Sequence, residues 1–278
     1  MSKTIGIVGF LGFGNMGKAI ANGLVAAGIV SADRILIKDP HLPADFAASL
    51  AEQGYKFADS ESQLFEDSSV VLLAVKPQVA KAERDNWKTL FGSLNGSGKT
   101  FISIMAGIKA PYLREIAPQG AVVVRVMPNL GLSVGQGATA IATDAVREEN
   151  LQIVESIFRS CGATVRVSEE QMDAVTAVSG SGPMYVFEFI EAMTAAGVSA
   201  GLSREVAYEL VQQTVRGSLE LLKPLEGVPS VSPDEWSARV RSPGGTTAAA
   251  QDLLRTEDFR GMLERAVLAA KNRSIELS

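Results

Sequence analysis

The chain has 278 residues, 46% of them hydrophobic, which is enough for one large domain or two ordinary domains with their own cores. Its 26 basic and 31 acidic residues give a net charge of -5, which offers no broad positive surface to a nucleic acid or an anionic membrane. No stretch approaches the roughly 20 apolar residues of a membrane span, and the N-terminal segment lacks signal-peptide features. We therefore expect a small-molecule partner, with no nucleic acid and no membrane.

Two reactive residue types occur only once each. Cys161 is the only cysteine, which excludes an intrachain disulfide or a thiolate metal cluster, and we expect it to be a small buried apolar side chain. His41 is the only histidine and follows Asp39 and Pro40 in a predicted loop, so we expect neither triad chemistry nor a histidine-rich metal site. The acidic residues show no ligand spacing. We expect a reducing, cytoplasmic location and no bound metal.

Short apolar runs rich in β-branched residues alternate with helix-like segments from Thr4 to about Val167. The strand-like runs are Ile5–Leu11, Arg34–Ile37, Val70–Val75, Thr100–Ile104 and Val122–Val126. This alternation predicts repeated βαβ units around a buried parallel sheet. The fold class of the first part is therefore α/β.

Strand-like runs stop after Val167, and segments rich in Ala, Glu, Leu and Met follow. These segments predict helices over 169–200, 203–222 and 258–276, with Ser203 as the N-cap of the second. The proline-containing stretch Lys223–Asp234 predicts a connecting loop. We expect one domain over 1–167 and an all-helical second domain over 168–278, packed together because no linker separates them.

A glycine-rich loop, Gly12-Phe13-Gly14-Asn15-Met16-Gly17, lies between the first strand-like run and a predicted helix, Lys18–Ala27. In a dinucleotide fingerprint the first glycine permits a tight turn, the second lets the backbone approach a pyrophosphate, and the third allows close helix–strand packing. Free N–H groups at the helix start then hold the anion. We expect a Rossmann-like domain over 1–167 with NADPH or NADH as cofactor, and an ordinary turn is the alternative.

Asp39 follows the second strand-like run and lies 22 residues after Gly17. An acid at about this spacing binds the ribose 2′-hydroxyl of NAD and would repel the 2′-phosphate of NADP. Asp39 is therefore a predicted cofactor residue that favours NAD. Two alternatives stay open: Asp39 can be a turn former before Pro40, and Lys38 can bind a phosphate.

Three separated blocks, in this order, resemble the pyrroline-5-carboxylate reductase family. They are the loop ending Gly14-Asn15-Met16-Gly17, the strand end Val71–Gln78, and the pair Asp173–Pro183 with Ser242–Thr247. Smaller similarities, at Ser103–Ile108 and Arg125–Asn129, extend the resemblance over essentially the whole chain.

The resemblance implies a reductase that transfers hydride from NADPH or NADH to the imine carbon of 1-pyrroline-5-carboxylate and forms L-proline. It also implies further cofactor-binding residues, namely Ala74, Val75, Lys76, Pro77, Ala106, Gly107 and Thr176. A homodimer built by the helical domain, with the active site between subunits, or a larger ring of dimers is expected. A six-membered imine stays open as substrate, because one methylene is worth only about 1–3 kcal/mol of discrimination.

The predicted substrate-binding residues are Ser242, Gly244, Gly245, Thr246 and Thr247. They precede a predicted helix from about Ala248, so their backbone N–H groups can hold a carboxylate, and a plain N-cap turn is the alternative. By resemblance, Thr247 binds the ring nitrogen and is the first predicted catalytic residue. Glu169 is the second, since its charge can favour the iminium form, and a solvated acid at a helix start is the alternative.

Four positions depart from the family pattern. Leu130-Gly131 stands where Thr-Pro is common, Asp39 replaces a small polar residue, Ser232 replaces a frequent histidine, and Val228–Val231 looks inserted. The second departure puts NADPH preference in doubt.

Two other functions compete with the reductase. A β-hydroxyacid dehydrogenase would carry a catalytic lysine on the helix that opens its second domain, and residues 168–200 contain no lysine. A regulatory protein could bind NAD(P) without turnover, because a fold does not guarantee chemistry. The intact Ser242–Thr247 segment argues against that regulatory role.

Overall fold

The computed structural model describes residues 5–144, 146–223 and 231–277. Its strands are β1 (Val8–Leu11), β2 (Ile35–Lys38), β3 (Lys56–Phe57), β4 (Val70–Leu73), β5 (Thr100–Ser103), β6 (Val122–Met127), β7 (Gly137–Ala142) and β8 (Gly162–Val167). Its helices are α1 (Asn15–Ala26), α2 (Ala44–Glu52), α3 (Glu61–Asp67), α4 (Pro77–Ala82), α5 (Arg84–Gly92), α6 (Ala110–Ile116), α7 (Glu148–Arg159), α8 (Met172–Val175), α9 (Gly182–Ser199), α10 (Arg204–Leu221), α11 (Pro233–Arg239), α12 (Thr246–Thr256) and α13 (Phe259–Glu276). No helix within the described ranges is both long and apolar enough to span a bilayer.

The strands form one sheet in the order β3-β2-β1-β4-β5-β6-β7-β8. Neighbouring strands are parallel except β6 and β7, which are antiparallel, with Val126 opposite Ile141. Strands β1 to β6 have the order of a doubly wound dinucleotide-binding fold, whose ligands bind beyond the carboxyl ends of the strands where the winding reverses. The expected α/β fold is therefore confirmed, and its crevice lies beyond β1 and β4.

Alternate residues of the central strands enter two separate hydrophobic layers. Phe10 of β1 packs in one layer with Ile20 of α1 and Phe158 of α7. Leu11, the next residue, enters the other layer with Trp87 of α5. Both faces of the sheet are thus covered by helices, which explains why its strands read as nearly continuous apolar runs in the sequence.

The described chain divides into two compact units, one of Met1–Pro183 with Ala269–Ser278 and one of Met184–Leu268. The limits of the two units fall inside α9 and α13, so each of these helices contributes residues to both units. The domain boundary between residues 167 and 168 follows a different criterion, the change from strands to helices, and stays a prediction.

All five strand-like runs contain a strand, although the ends differ by up to three residues. β1 begins at Val8 rather than Ile5, and β4 ends at Leu73 rather than Val75. The strands β3, β7 and β8 had not been identified. The short β3 has two exposed residues, and β8 alternates between partly buried and exposed positions, so neither carries a continuous apolar signal.

The predicted helix over 169–200 was wrong in its continuity. It consists of a 3-10 turn at Glu169–Gln171, α8, a π-helical turn at Thr176–Gly180, and α9. The wider turn is closed by a bond from the Ser181 N–H to the Thr176 carbonyl (2.8 Å). Turns of this kind inside helices frequently mark functional sites.

The other predicted helices are confirmed within three residues, the largest difference being α1, which begins at Asn15 rather than Lys18. Ser203 caps α10 by accepting a hydrogen bond from the Val206 N–H (3.3 Å). Most of the predicted connecting loop, and the apparent insertion at Val228–Val231 except its last residue, lie outside the described residues. In the range that begins at residue 231, Ser232 and Glu235 form a capping box at the start of α11. This helix was not predicted from the sequence.

Cys161 is 1% exposed, as expected for an apolar core residue, and burial raises the pKa of its thiol. It packs against α1, where its Sγ would lie 2.1 Å from a Cβ added to Gly23. Glycine at position 23 is therefore required by the thiol rather than by the helix, which alanine would favour.

We expect Gly23→Ala to lower the free energy of unfolding by about 1–3 kcal/mol, because overpacking exceeds the gain in helix propensity. In a Cys161→Ala background the same change should be neutral or stabilising. Gly92→Ala is the control, since nothing lies within 4 Å of a Cβ at that position in α5. Urea denaturation of the parent, Gly23→Ala, Cys161→Ala and the double variant measures the coupling between the two positions. Additive effects of Gly23→Ala and Cys161→Ala would contradict this explanation.

Candidate active site

Gly12 makes a turn that only glycine can make at this position. Its φ of 87° lies in the left-handed region, and an added Cβ would lie 2.9 Å from the Ala74 carbonyl carbon. Its N–H donates to the Lys38 carbonyl at the end of β2 (2.9 Å). The first glycine of the fingerprint therefore holds the ends of β1, β2 and β4 together.

Gly14 and Gly17 match the other two fingerprint roles. Gly14 is the N-cap of α1, has no side-chain cap, and has nothing within 4 Å of a hypothetical Cβ. An added Cβ at Gly17 would lie 3.1 Å from the Gly12 carbonyl oxygen, so this glycine lets α1 approach the loop closely. The uncapped start of a 12-residue helix beside open space fits a dinucleotide pyrophosphate.

Asp39 contacts the glycine-rich loop directly. Its Oδ2 accepts a hydrogen bond from the Phe13 N–H (2.7 Å), and its Oδ1 accepts one from the His41 N–H (2.9 Å). The carboxylate is thus fixed at the end of β2 beside the predicted cofactor loop. The alternative interpretation of Asp39 as a turn former also fits, because the hydrogen bond from the His41 N–H closes a turn around Pro40.

The remaining predicted cofactor residues follow strands whose carboxyl ends lie at the same edge of the sheet. Ala74 and Val75 follow β4 and contact Gly12, Lys76 is the N-cap of α4, and Pro77 is its first residue. Proline at this position needs no hydrogen-bond partner for its nitrogen. The family-like strand end therefore forms the wall of the crevice opposite the glycine-rich loop.

Ala106 and Gly107 form a turn after β5, with φ of 71° at Gly107. Thr176 begins the π-helical turn, and its hydroxyl donates to the Met172 carbonyl (2.8 Å). A Cβ on Gly180, at the end of the same turn, would lie 2.6 Å from the Met127 Cε at the end of β6. Because β6 is parallel to β5, Thr176 also lies toward the carboxyl edge of the sheet.

Glu169 is held in an ion pair that sequence reasoning had missed. Its Oε1 accepts hydrogen bonds from Arg125 Nη1 (2.8 Å) and from the Ala110 N–H (3.0 Å). The Arg125 side chain is only 2% exposed, and the Glu169 side chain 23%. Glu169 is therefore not a solvated acid. The available signal was a charged residue inside an otherwise apolar strand, Val122–Met127.

One buried atom on each side of this pair has no described partner, namely Arg125 Nη2 and Glu169 Oε2. The guanidinium and the carboxylate offset each other's charge while tying β6 to the beginning of the helical segment at residue 169. A buried pair of this kind is costly to break, because the remaining charge is left without compensation.

The predicted substrate residues lie in the second compact unit. Gly244 has a left-handed φ of 69°, which favours glycine, and a Cβ at Gly245 would require the Ser242 hydroxyl to rotate away. Gly245 is the N-cap of α12 and has no side-chain cap. Thr246 and Thr247 are the first residues of this helix, which begins two residues earlier than predicted. The uncapped helix start can bind a carboxylate.

Thr247 is exposed and borders a cleft of about 470 Å³ within this unit. Its lining also includes Gln251, one turn further along α12, and Ser237 of α11. The Gln251 Nε2 donates to Ser237 Oγ (2.9 Å) and thereby ties the two helices together. The hydroxyl of Thr247 is thus presented at the surface of a fixed helix pair.

Acidic, histidine and cysteine side chains in the described parts of the chain form no group of three or more that could hold a metal ion. Each unit has its own candidate binding region: a glycine-rich start of α1 with the Asp39 carboxylate beside it in the first unit, and a glycine-rich start of α12 with the Thr247 hydroxyl in the second.

Two family models match parts of the chain. Residues 169–277 match the model described as pyrroline-5-carboxylate reductase dimerisation. Residues 7–107 match the model described as NADP oxidoreductase, coenzyme F420-dependent.

Curated relatives match nearly the whole chain. A pyrroline-5-carboxylate reductase of Arabidopsis thaliana is 37% identical over 272 residues, which cover 98% of this chain and 95% of the relative. The enzyme of Aquifex aeolicus is also 37% identical, over 94% of this chain and 93% of the relative. The chain belongs to the pyrroline-5-carboxylate reductase family.

Solved structures of the family share its fold over the full length. A pyrroline-5-carboxylate reductase from Coxiella burnetii has a TM-score of 0.86 at 33% identity and covers 99% of each chain. The Plasmodium falciparum pyrroline carboxylate reductase, with NADP bound, has a TM-score of 0.83 at 32% identity and covers 100% of this chain and 99% of its own. The resemblance expected from the sequence motifs is therefore confirmed.

We expect the first two loop glycines to respond differently to alanine. Gly14→Ala should leave the free energy of unfolding within about 0.5 kcal/mol of the parent and weaken coenzyme binding about tenfold or more, because its Cβ enters the open space beside the helix start. Gly12→Ala should lower stability by about 2 kcal/mol or more, from left-handed strain and the clash with Ala74. Thermal unfolding and NADH fluorescence titration separate the two effects. Unchanged binding by Gly14→Ala would contradict this cofactor site.

For Glu169→Gln we expect a loss of about 2–4 kcal/mol of stability, because the buried Arg125 charge is left unpaired. The double variant Arg125→Met/Glu169→Met should lose less stability than the summed losses of Arg125→Met and Glu169→Met. Urea denaturation measures both. If Glu169→Gln abolished turnover at unchanged stability, the residue would be catalytic and not a structural anchor.

Proposed function

We propose that this chain reduces 1-pyrroline-5-carboxylate to L-proline with NADH or NADPH, as the last step of proline biosynthesis. The observation that carries the proposal is the exposed Thr247 hydroxyl at the uncapped, glycine-rich start of α12. That arrangement fits a small substrate with a carboxylate and a ring nitrogen. Membership of the family supports the same reaction.

The proposed binding roles follow from hydrogen-bond donors in the two helix starts. N–H groups at the start of α1, after Gly12–Gly14, hold the coenzyme pyrophosphate, and Asp39 lies at its ribose. NADH or NADPH, when bound, supplies the hydride. Backbone N–H groups around Ser242–Thr246 hold the substrate carboxylate and thereby fix which ring atom faces the nicotinamide. The chain needs no nucleophile of its own for this reaction.

Thr247 is the proposed catalytic residue. A threonine hydroxyl is both donor and acceptor, so it can bond the ring nitrogen as the imine becomes an amine. Glu169 is proposed only in an electrostatic role, since the Arg125 guanidinium 2.8 Å away offsets much of the charge that would stabilise an iminium ion. Its catalytic role stays a prediction.

We also propose a homodimer built by the helical unit, and a larger ring of dimers stays a prediction. Of the hydrophobic residues described in Met184–Leu268, only Ala207, Val211 and Ala248 are buried, whereas large ones such as Phe187 (60% exposed) and Leu253 (62% exposed) are accessible. A unit with so little buried core of its own and so much exposed apolar surface fits burial against a second copy. A cytoplasmic location also stays a prediction.

The proposed reaction is tested by mixing the purified protein with 1-pyrroline-5-carboxylate and following the absorbance of NADH or NADPH. We expect substrate-dependent oxidation. A folded protein that binds the coenzyme but oxidises none would instead favour the regulatory alternative.

For Thr247→Val we expect turnover to fall by about 100-fold or more with coenzyme affinity nearly unchanged, because the lost bond is to substrate. Thr247→Ser should keep much of the activity, since it retains the hydroxyl. Thr256→Val, at the other end of α12, is the control for threonine loss. Steady-state kinetics and NADH titration check this, and normal turnover by Thr247→Val would remove the residue from its proposed role.

Replacing Phe187 and Leu253 by aspartate should shift the protein from dimer toward monomer, because charges are depleted from buried interface cores. Sedimentation velocity at micromolar concentration measures the shift. Asp substitutions that left the sedimentation coefficient unchanged would place the dimer contact elsewhere.

A further inference from the structure

Both carboxylate oxygens of Asp39 accept hydrogen bonds from backbone N–H groups. Oδ2 accepts from the Phe13 N–H (2.7 Å) and Oδ1 from the His41 N–H (2.9 Å). Phe13 belongs to the glycine-rich loop, 26 residues earlier in the chain. Because a buried or half-buried N–H left without an acceptor is costly, the carboxylate cannot swing away without breaking these bonds. Its negative charge is therefore fixed beside the loop.

The acceptor capacity that remains on Asp39 suits hydroxyl groups. An ionised carboxylate has about four acceptor positions, and two are used by the backbone N–H groups. The remaining two can accept from ribose hydroxyls. A 2′-phosphate offers no proton at neutral pH to an acceptor already charged, and its own charge is repelled by the fixed carboxylate.

Two lysines close to Asp39 in the chain or beside the loop, Lys38 and Lys18, are directed elsewhere. The Lys38 ammonium donates to the Asp59 carbonyl oxygen after β3 (2.6 Å), and the Lys18 ammonium lies 4.0 Å from the centroid of the Phe46 ring. The Lys38 ammonium, which was the alternative phosphate-binding group, is thus already bonded to a backbone carbonyl oxygen.

Arginine is also absent from the elements that surround Asp39. The first arginine of the sequence is Arg34, and the next is Arg84. Arg34 ends the 3-10 turn before β2, at the amino end of the strand, whereas Asp39 follows its carboxyl end. No guanidinium from residues 1–33 or 35–83 can therefore balance a 2′-phosphate.

We propose that Asp39 is the specificity-determining residue that makes this chain prefer NADH to NADPH, an inference that rests on the coenzyme site of the proposed function. Asp39 acts twice: it positions the glycine-rich loop through Phe13, and it excludes the 2′-phosphate through its charge. The preference belongs to this chain's own residues, since the structural relative from Plasmodium falciparum has NADP bound.

Equilibrium binding tests the proposal without requiring turnover. Fluorescence titration of the full-length protein should give NADH an affinity about 10- to 100-fold higher than NADPH, with the ratio falling at high salt because the repulsion is screened. Competition by ADP-ribose and by 2′-phospho-ADP-ribose should show the same order, since only the 2′-phosphate distinguishes them. Equal or tighter binding of NADPH by the parent protein would overturn the proposal.

Asp39→Asn removes the charge and leaves a single acceptor oxygen, which can accept from only one of the Phe13 and His41 N–H groups. We expect the NADH to NADPH affinity ratio to fall to within about threefold, mainly through tighter NADPH binding, because the charge repulsion is gone. Asp85→Asn, on the remote helix α5, makes the same change in net charge and should keep the parent ratio. Lys38→Ala should also keep it, because its ammonium serves Asp59.

An Asp39→Asn protein that folds with an unchanged ratio would refute the assignment. If this variant fails to fold, the parent titration and the ADP-ribose competition still decide the question. Absence of turnover with 1-pyrroline-5-carboxylate, at a clear preference for NADH in binding, would refute the proposed reaction and leave the role of Asp39 standing.

Discussion

The coenzyme side of this protein depends on one close approach, between Gly12 after β1 and Ala74 after β4. The distance leaves no room for a side chain, and the left-handed φ of Gly12 turns the chain away from the sheet at once. Gly14, two residues later, is the N-cap of α1, so this turn leads from β1 straight into the start of the helix. Asp39, the wall at Ala74–Pro77 and the turn at Ala106–Gly107 all take their positions from strands that are in register with β1.

The proposed binding chemistry rests on two helix starts, in a chain with one histidine and one buried cysteine. The start of α1 and the start of α12 both follow glycine-rich turns, and both lack a side-chain cap, so donors that a serine or aspartate would normally satisfy remain available. By contrast, α10 and α11 begin with serine caps that accept these N–H groups. The N–H groups at the starts of α10 and α11 are therefore satisfied within the chain, whereas those at the starts of α1 and α12 have no side-chain acceptor.

The two compact units differ in how much of their hydrophobic side-chain surface they bury. The sheet unit buries two complete layers, with Phe10 in one and Leu11 in the other. The helical unit brings helices close through small residues, as where Gly197 faces Ala207, but leaves most of its large apolar side chains accessible. Such a unit gains stability from association, so folding and assembly of this protein are coupled in the proposed dimer.

The sequence by itself determined the α/β fold, the fingerprint loop and the family, because these depend on local periodicity and on glycines at fixed spacing. The sequence also located the start of α12 within two residues, since Gly244 and Gly245 indicate a tight turn. It did not reveal the π-helical turn at Thr176–Gly180, where Gly180 lies close to Met127 at the end of β6.

Only the tertiary structure decided which charged groups are free and which are held. Glu169 lies 44 residues from Arg125, and Asp39 lies 26 residues from Phe13, so neither partnership leaves a local pattern in the sequence. The Asp39 contact arises because β1 and β2 are parallel neighbours, whereas the Glu169 contact joins the chain after β8 to β6, which runs in the opposite direction to β8. The fold therefore assigns Glu169 to an ion pair and Asp39 to the loop, and these contacts determine what each carboxylate can do.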